Sequence, residues 1–243
     1  MEQLNKTLYH NGIKNFILKI DFISNDVAAF ASIVNEISTN FTRLEQRIHT
    51  NFNIIMDEAK VRKEQTPDFV LINNEKGLNL TFSTFHNAMS IEMSQYINNK
   101  GYKECIATIK EAIIKLGLHI QSKRIGMRYI NSFQCNALNN IKKIFNKEKA
   151  KIITGICNDS NLSRVIIQEE FNTENSKLRS QYGIPNKLYP AKMTTYDLLL
   201  DIDSYDDSMH SFDEWDDVIR TLNHEAYGKF IELMNPDFIE TLK

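Results

Sequence analysis

The segment Arg124-Ile-Gly-Met-Arg-Tyr-Ile-Asn131 carries the residues of this sequence that are best suited to chemistry. On a β-strand, Arg124, Gly126 and Arg128 point to one side of the sheet, and Asn131 points to the other. Two arginines on one face can bind a phosphate or a carboxylate through paired hydrogen bonds. The glycine between them lets a ligand or another backbone come close. One hypothesis is therefore a site for an anionic ligand formed by Arg124, Arg128 and Asn131.

A second group of charged residues follows later in the chain, where Asp197, Asp201 and Asp203 share one face of another predicted strand. Carboxylates in this arrangement can bind a divalent cation or act in acid–base catalysis. The alternative is a cross-strand pairing of Asp201 and Asp203 with Arg124 and Arg128, which would hold the sheet together. We favour structural pairing of these four residues. Networks of ion pairs that only stabilise a fold can have the same residue pattern as a functional site, so the pattern alone does not indicate function.

Known catalytic and cofactor-binding motifs do not occur in the sequence. It contains no Walker loop, no GxGxxG, no GxSxG, no HExxH and no CxxC, and its six histidines are scattered. We therefore assign no catalytic residue, no metal site and no cofactor, and the interpretation leans away from an enzyme.

Charge is almost balanced overall but is segregated along the chain. The net charge of −2 gives no reason to expect general nucleic-acid binding. An acidic run covers 201–217, and a lysine-rich predicted helix covers 137–153. Such segregation is typical of solvated surfaces and also suits contacts with another protein.

Composition predicts a globular protein of the cytoplasm. Apolar residues make up 42% of the 243 residues and charged residues 25%, close to the globular average. Positions 1–11 do not resemble a secretory signal, and no apolar run is long enough to span a membrane. The odd number of cysteines argues for a reducing compartment; they are Cys105, Cys135 and Cys157.

The periodicity of apolar residues predicts an α+β fold, with long antiparallel strands in a curved sheet that packs against amphipathic helices. Strands are predicted at 14–22, 42–56, 69–72, 78–85, 88–96, 118–133, 163–171 and 194–204. Over 42–56 the apolar spacing also fits a helix, and we favour the strand because β-branched and aromatic residues are enriched there. Helices are predicted at 27–37, 102–116 and 137–153, and after the capping box of Ser211 and Glu214. Loops are predicted at 57–67 and 178–190. We expect one domain over 1–243, with possible similar β-α halves at 1–117 and 118–243.

The chain resembles a poorly characterised bacterial family with a sporadic genomic distribution. That family carries R-x-G-L-R-Y-I-N on an extended strand, and this chain has the same pattern at 124–131 with Met127 in place of leucine. A late strand of the family ends in D-I-D, which matches Asp201-Ile-Asp203 here. The resemblance implies no specific activity. Its sporadic distribution suggests an accessory system, such as anti-phage defence or a toxin–antitoxin module.

Three functions follow as hypotheses. The first is a non-catalytic binding protein that acts through a protein partner, through self-association as a homo-oligomer, or both. The second is a sensor of a nucleotide or another small anion that uses Arg124 and Arg128. The third is a metal-dependent phosphoryl-transfer enzyme or nuclease that uses Asp201 and Asp203.

Overall fold

The computed structural model describes residues 12–23, 26–55, 60–135, 137–157, 162–174, 176–192 and 196–242, without the side chains of 51–64. These residues form one antiparallel, curved sheet and six helices, which confirms the predicted α+β fold. The strands are β1 Ile13–Phe22, β2 Arg43–Ile55, β3 Lys60–Asn73, β4 Leu78–Ser83, β5 Ala88–Met93, β6 Gln121–Phe133, β7 Val165–Asn172, β8 Lys177–Ile184, β9 Leu198–Asp206 and β10 His210–Ser211. The helices are α1 Val27–Ile37, α2 Lys100–Lys115, α3 Ile141–Ile144, α4 Lys147–Ile156, α5 Trp215–Leu233 and α6 Pro236–Thr241.

The order of strands across the sheet is β2-β3-β4-β5-β1-β6-β9-β8-β7, and the short β10 also pairs with β6. The parts of the chain before and after Gly117 have a similar order of elements. Each part starts with a strand and a helical segment, continues into a meander, and then adds a helix. In both parts the last strand of the meander returns beside the first strand, so β5 pairs with β1 and β9 pairs with β6. The two first strands, β1 and β6, pair with each other at the centre of the sheet.

Alternation of side chains gives the sheet one buried face and one open face. On β1, Phe16, Leu18 and Ile20 are at most 1% exposed, whereas the residues between them are partly exposed. Helix α5 packs over β6 and β9 on the buried face, and its Trp215 is completely enclosed. The helices therefore lie against the apolar face, and the polar residues of the central strands remain on the other face.

Local sequence signals explain two of the helix ends. Asp26 begins α1, because its Oδ1 accepts a hydrogen bond from the backbone N–H of Ala29 at 2.9 Å. Helix α2 ends at Gly117, which has a φ of +63°. The backbone N–H groups of Gly117 and Leu118 donate to the carbonyls of Ile114 and Ile113, and together these two bonds form a Schellman motif.

The loop predicted at 57–67 is wrong for the described residues from Lys60 onward, which belong to β3. Its backbone pairs with β2 from Ile55 opposite Lys60 to Arg43 opposite Ile72. Beyond the end of β4, β2 and β3 form a ribbon that no third strand joins among the described residues. Strand pairing is made by backbone groups, so a charged sequence does not exclude it. Met56 and 57–59 lie outside the described residues.

The loop predicted at 178–190 is also wrong over its first half. Lys177–Ile184 is strand β8, which pairs with β7 on one side and with β9 on the other. The prolines at 185 and 190 follow the strand and do not interrupt it. The strand predicted at 194–204 is β9, and Thr194 and Thr195 lie outside the described residues.

The single helix predicted at 137–153 is wrong, because a break divides it into α3 and α4. Phe145 is extended at the break and forms an isolated β-bridge with Met234. Asn146 then caps α4, since its Oδ1 accepts from the backbone N–H of Lys149 at 2.9 Å. Its own backbone N–H donates to Leu233 at the end of α5. Tertiary contacts with the end of α5 thus interrupt the helix at Phe145 and Asn146.

Within the described part of the chain, no helix is long and apolar enough to cross a membrane. The three cysteines are buried and form no disulfide.

Candidate functional site

Four neighbouring strands, β1, β6, β9 and β8, place a set of arginines and aspartates on the open face of the sheet. Cross-strand register brings them together, because residues directly opposite each other in an antiparallel pair point to the same face. Arg124 lies opposite Asp21, and Arg179 lies opposite Asp203. We call the set the Arg–Asp ladder; its members are Asp21, Arg124, Arg128, Arg179, Asp201, Asp203 and Asp207.

Arg128 and Asp201 form the tightest contact of the ladder. Arg128 donates from Nε to Oδ1 of Asp201 at 2.9 Å and from Nη2 to Oδ2 at 2.6 Å. Asp201 is only 5% exposed, whereas 38% of the Arg128 side chain remains exposed. The hydrogen bond to Asp201 raises the pKa of Arg128, which keeps the guanidinium charged. This geometry is the bidentate arginine–carboxylate pair that gives both strength and orientation.

Asp203 is held by Arg179, which lies in the segment predicted to be a loop. Nη2 of Arg179 donates to Oδ2 of Asp203 at 2.9 Å. Burial raises the pKa of the Asp203 carboxyl, and the nearby charges of Arg179, Arg124 and Arg128 partly oppose that effect. Asp203 is therefore a carboxylate whose charge depends on the surrounding arginines.

Arg124 makes looser contacts than Arg128, and it lies between two aspartates. Its Nη1 is 3.6 Å from Oδ2 of Asp21, and its Nε is 3.2 Å from Oδ1 of Asp207. Its guanidinium carbon lies 4.4 Å from the centre of the Tyr205 ring, which adds a cation–π contact. Asp207 is shared with Lys177, at 2.9 Å.

Gly126 lies close to Tyr205 and to the guanidinium of Arg124. A Cβ atom at Gly126 would be 3.3 Å from Cβ of Tyr205 and 3.5 Å from both terminal nitrogens of Arg124. A side chain at this position would thus be tight only against Tyr205 of β9, whereas Arg124 would lie at an ordinary contact distance.

Asn131 is not brought together with the arginines. It lies on the buried face, is 2% exposed, and donates from Nδ2 to the carbonyl of Leu200 at 3.1 Å. On the same face, the hydroxyl of Tyr129 donates to Oδ1 of Asn223 on α5 at 2.7 Å. These two side chains therefore connect β6 with β9 and with α5.

The structure thus places the predicted residues in three arrangements. Arg128 and Asp201 contact each other, whereas Arg124 turns to Asp21 and Asp207, and Asp203 turns to Arg179. Asp21 was visible in the sequence as a polar residue of the first strand. Arg179 was missed because its strand was interpreted as a loop.

Among the described residues, no group of three or more histidine, cysteine, aspartate or glutamate side chains is arranged to hold a metal ion. Much of the acidic run is also engaged within the chain. Asp216 contacts Lys110 on α2, and Oδ2 of Asp206 lies 2.9 Å from Nε2 of His210.

No family model matches the chain, and no match to it is found among curated proteins or solved structures. What the chain does must therefore be inferred from its own sequence and geometry.

Proposed function

We propose that this chain is a non-catalytic binding protein that acts in the cytoplasm through protein–protein contacts, including self-association. On the family resemblance, we place it in a bacterial accessory system such as anti-phage defence or a toxin–antitoxin module. The observation that carries the proposal is that the Arg–Asp ladder is closed. Each of its four carboxylates already contacts a cation of the same chain.

A closed ladder favours a structural and recognition role over catalysis. A general acid or base must reach the proton of a substrate, and a phosphate-binding arginine must offer its donors to the ligand. Arg128 already directs two donors to Asp201. Asp203 and Asp201 are largely covered, so a substrate would first have to displace arginines.

The open face suits recognition of another protein. It presents cations and anions in alternation on adjacent strands, and cross-strand ion pairs fix their positions. Charge patterns of this kind contribute to the specificity of protein interfaces and to their rate of association. Two lysines at the margins of the ladder, Lys19 and Lys177, pair with its Asp21 and Asp207, and their side chains are 41% and 51% exposed.

Co-purification with the products of adjacent genes, expressed together with this chain, tests the proposal. Charge reversal at the open face, Lys19→Glu or Lys177→Glu, is expected to weaken binding of a partner by about tenfold or more, because exposed charges steer association and select partners. Lys115→Glu is the matched control, since Lys115 is 67% exposed on the helix side of the sheet. The proposal fails if no adjacent gene product binds, or if the purified protein turns over nucleotides or nucleic acid with magnesium or manganese.

A second candidate, a sensor of a small anion, rests on Arg124. Its contacts of 3.2 and 3.6 Å are longer than those of Arg128, and 30% of its side chain is exposed. An anionic ligand would have to replace Asp21 or Asp207 at this guanidinium. A thermal-shift screen against nucleotides tests the idea, and a shift that disappears in Arg124→Gln but remains in Arg220→Gln would support it.

A further inference from the structure

The outer edge of β2 is a long strand edge with no partner among the described strands. β2 ends the sheet, pairs only with β3, and keeps a regular register from Arg43 to Ile55. Proteins usually protect such edges with charged side chains, a proline, a bulge or a covering segment, because the free N–H and C=O groups form a template for another strand. On β2 the charges alternate in sign, so they do not exclude a second strand of complementary charge. Over 43–55 the sequence has no proline, and the register has no bulge.

Apolar side chains are exposed along the same edge. Ile48 is 62% exposed, more than any other large apolar residue on a strand whose side chains are described, and Leu44 is 46% exposed. Leu71, opposite Leu44 on β3, is fully buried. The apolar face of the sheet therefore continues past the core and emerges at β2.

The charges on the other face of β2 are ordered so that the strand is complementary to itself. Glu45 lies between Arg43 and Arg47, with ion-pair distances of 2.7 and 3.3 Å within the strand. A two-fold axis through Gln46, perpendicular to the sheet, would place Glu45 opposite Arg47 of the second copy, and Arg47 opposite its Glu45. The same axis would place Leu44 opposite Ile48 of the second copy, and Ile48 opposite Leu44 of the second copy.

Neighbouring centres do not give this match. An axis through Glu45 would place two glutamates opposite each other, and an axis through Arg47 would do the same with two arginines. Like charges directly opposite each other destabilise strand pairing. An axis through Leu44 would pair only the first few residues of β2, because the strand begins at Arg43.

We propose that β2 is a homodimerisation edge, at which a second copy of this chain pairs antiparallel with its register centred on Gln46. The inference rests on the proposed function, since it names self-association as one of its contacts and gives it a location. In a two-fold pairing each copy covers the β2 edge of the other, so no β2 edge remains free and the contact does not propagate into a fibre.

Charge reversals on β2 test the register by mutual rescue. Sedimentation analysis of the full chain is expected to give twice its mass of 28.3 kDa. Glu45→Arg and Arg47→Glu, made singly, should each weaken the dimer by about tenfold or more, because each places like charges at two positions of the interface. An equimolar mixture of the two variants should regain the dimer, since one chain then carries two cations opposite two anions of the other.

Glu92→Arg is the matched control. It reverses an exposed charge on β5, a strand that has neighbours on both sides, so it should leave the dimer intact. Far-UV circular dichroism checks that all the variants fold.

Three results would overturn the inference: a monomeric wild type at every soluble concentration, a dimer that neither single reversal weakens, or a mixture that stays monomeric. These results are separable from failure of the proposed function. An E45R monomer that still binds an adjacent gene product removes the dimer edge and leaves the proposed function standing. A dimer that behaves as expected, while no adjacent gene product binds, removes the partner and leaves the edge.

Discussion

At the scale of single residues, the ladder depends on how each arginine chooses its carboxylate. Arg128 lies directly opposite Asp203 in the register, yet it bonds Asp201, while Asp203 bonds the arginine on its other side. Asp201 and Asp203 thus each receive their own guanidinium. Removal of one arginine would leave an ionised group largely shielded from water without its partner, which is costly.

Arg128→Ala is therefore expected to lower the free energy of unfolding by about 1–3 kcal/mol, the cost of leaving a buried group unsatisfied. The value lies below that of a fully buried ion pair because 38% of the Arg128 side chain is exposed. Urea unfolding, followed by the fluorescence of the single tryptophan, measures the change.

Arg220→Ala is the control for that measurement. Arg220 also pairs with an aspartate, Asp217, but the two side chains are 75% and 76% exposed. Loss of such a surface pair costs about 0.5 kcal/mol or less. Equal effects of the two substitutions would mean that Asp201 does not need Arg128 in the folded state.

At the scale of elements, two glycines differ in whether the helix backbone requires them. Gly117 ends α2 with a φ of +63°, a conformation that side-chain-bearing residues adopt at a cost. Gly228 lies inside α5, and a Cβ atom there would meet nothing within 4 Å. The first glycine is required by the backbone, and the second is not.

Gly117→Ala is expected to lower the free energy of unfolding by about 1–2 kcal/mol because of the left-handed conformation. Gly228→Ala should raise it by about 0.5–1 kcal/mol, since alanine loses less backbone entropy in a helix. Thermal and urea unfolding of both variants would check these opposite signs. A loss of stability in Gly228→Ala would show that the helix surface at this position is not open.

Sequence periodicity predicted those elements whose own residues decide their structure. Strand β1 and helix α5 were clear because alternation or helical spacing matches the face that each one buries. β8 was missed because two prolines nearby suggested a loop, although both follow the strand. The break between α3 and α4 could not be predicted, since it depends on Phe145 and Asn146 meeting the end of α5, far away in the sequence.

The ladder shows the same limit. Alternation correctly put Arg124 and Arg128 on one face, because that depends on one strand alone. Which carboxylate each arginine meets depends on the order and register of β1, β6, β9 and β8. Long-range pairing of this kind leaves no local signal in the sequence.

At the scale of the whole molecule, the two similar parts of the chain meet along β1 and β6. Phe16 of β1 stacks on Tyr102 of α2, with ring centres 4.8 Å apart, and also contacts Tyr129 of β6 at 5.0 Å. Trp215 of α5 lies 6.1 Å from Phe22 of β1, measured between ring centres. Side chains from both parts thus share one apolar core.

A shared core predicts that the chain unfolds as one cooperative unit, because neither part can keep its half of the interface buried alone. The fluorescence of Trp215 reports on the second part, and far-UV circular dichroism reports on the helices and strands of both. The two signals should follow the same urea transition with a single midpoint. A dichroism curve with two steps, only one of them accompanied by the fluorescence change, would instead mean that 1–117 and 118–243 unfold as separate domains.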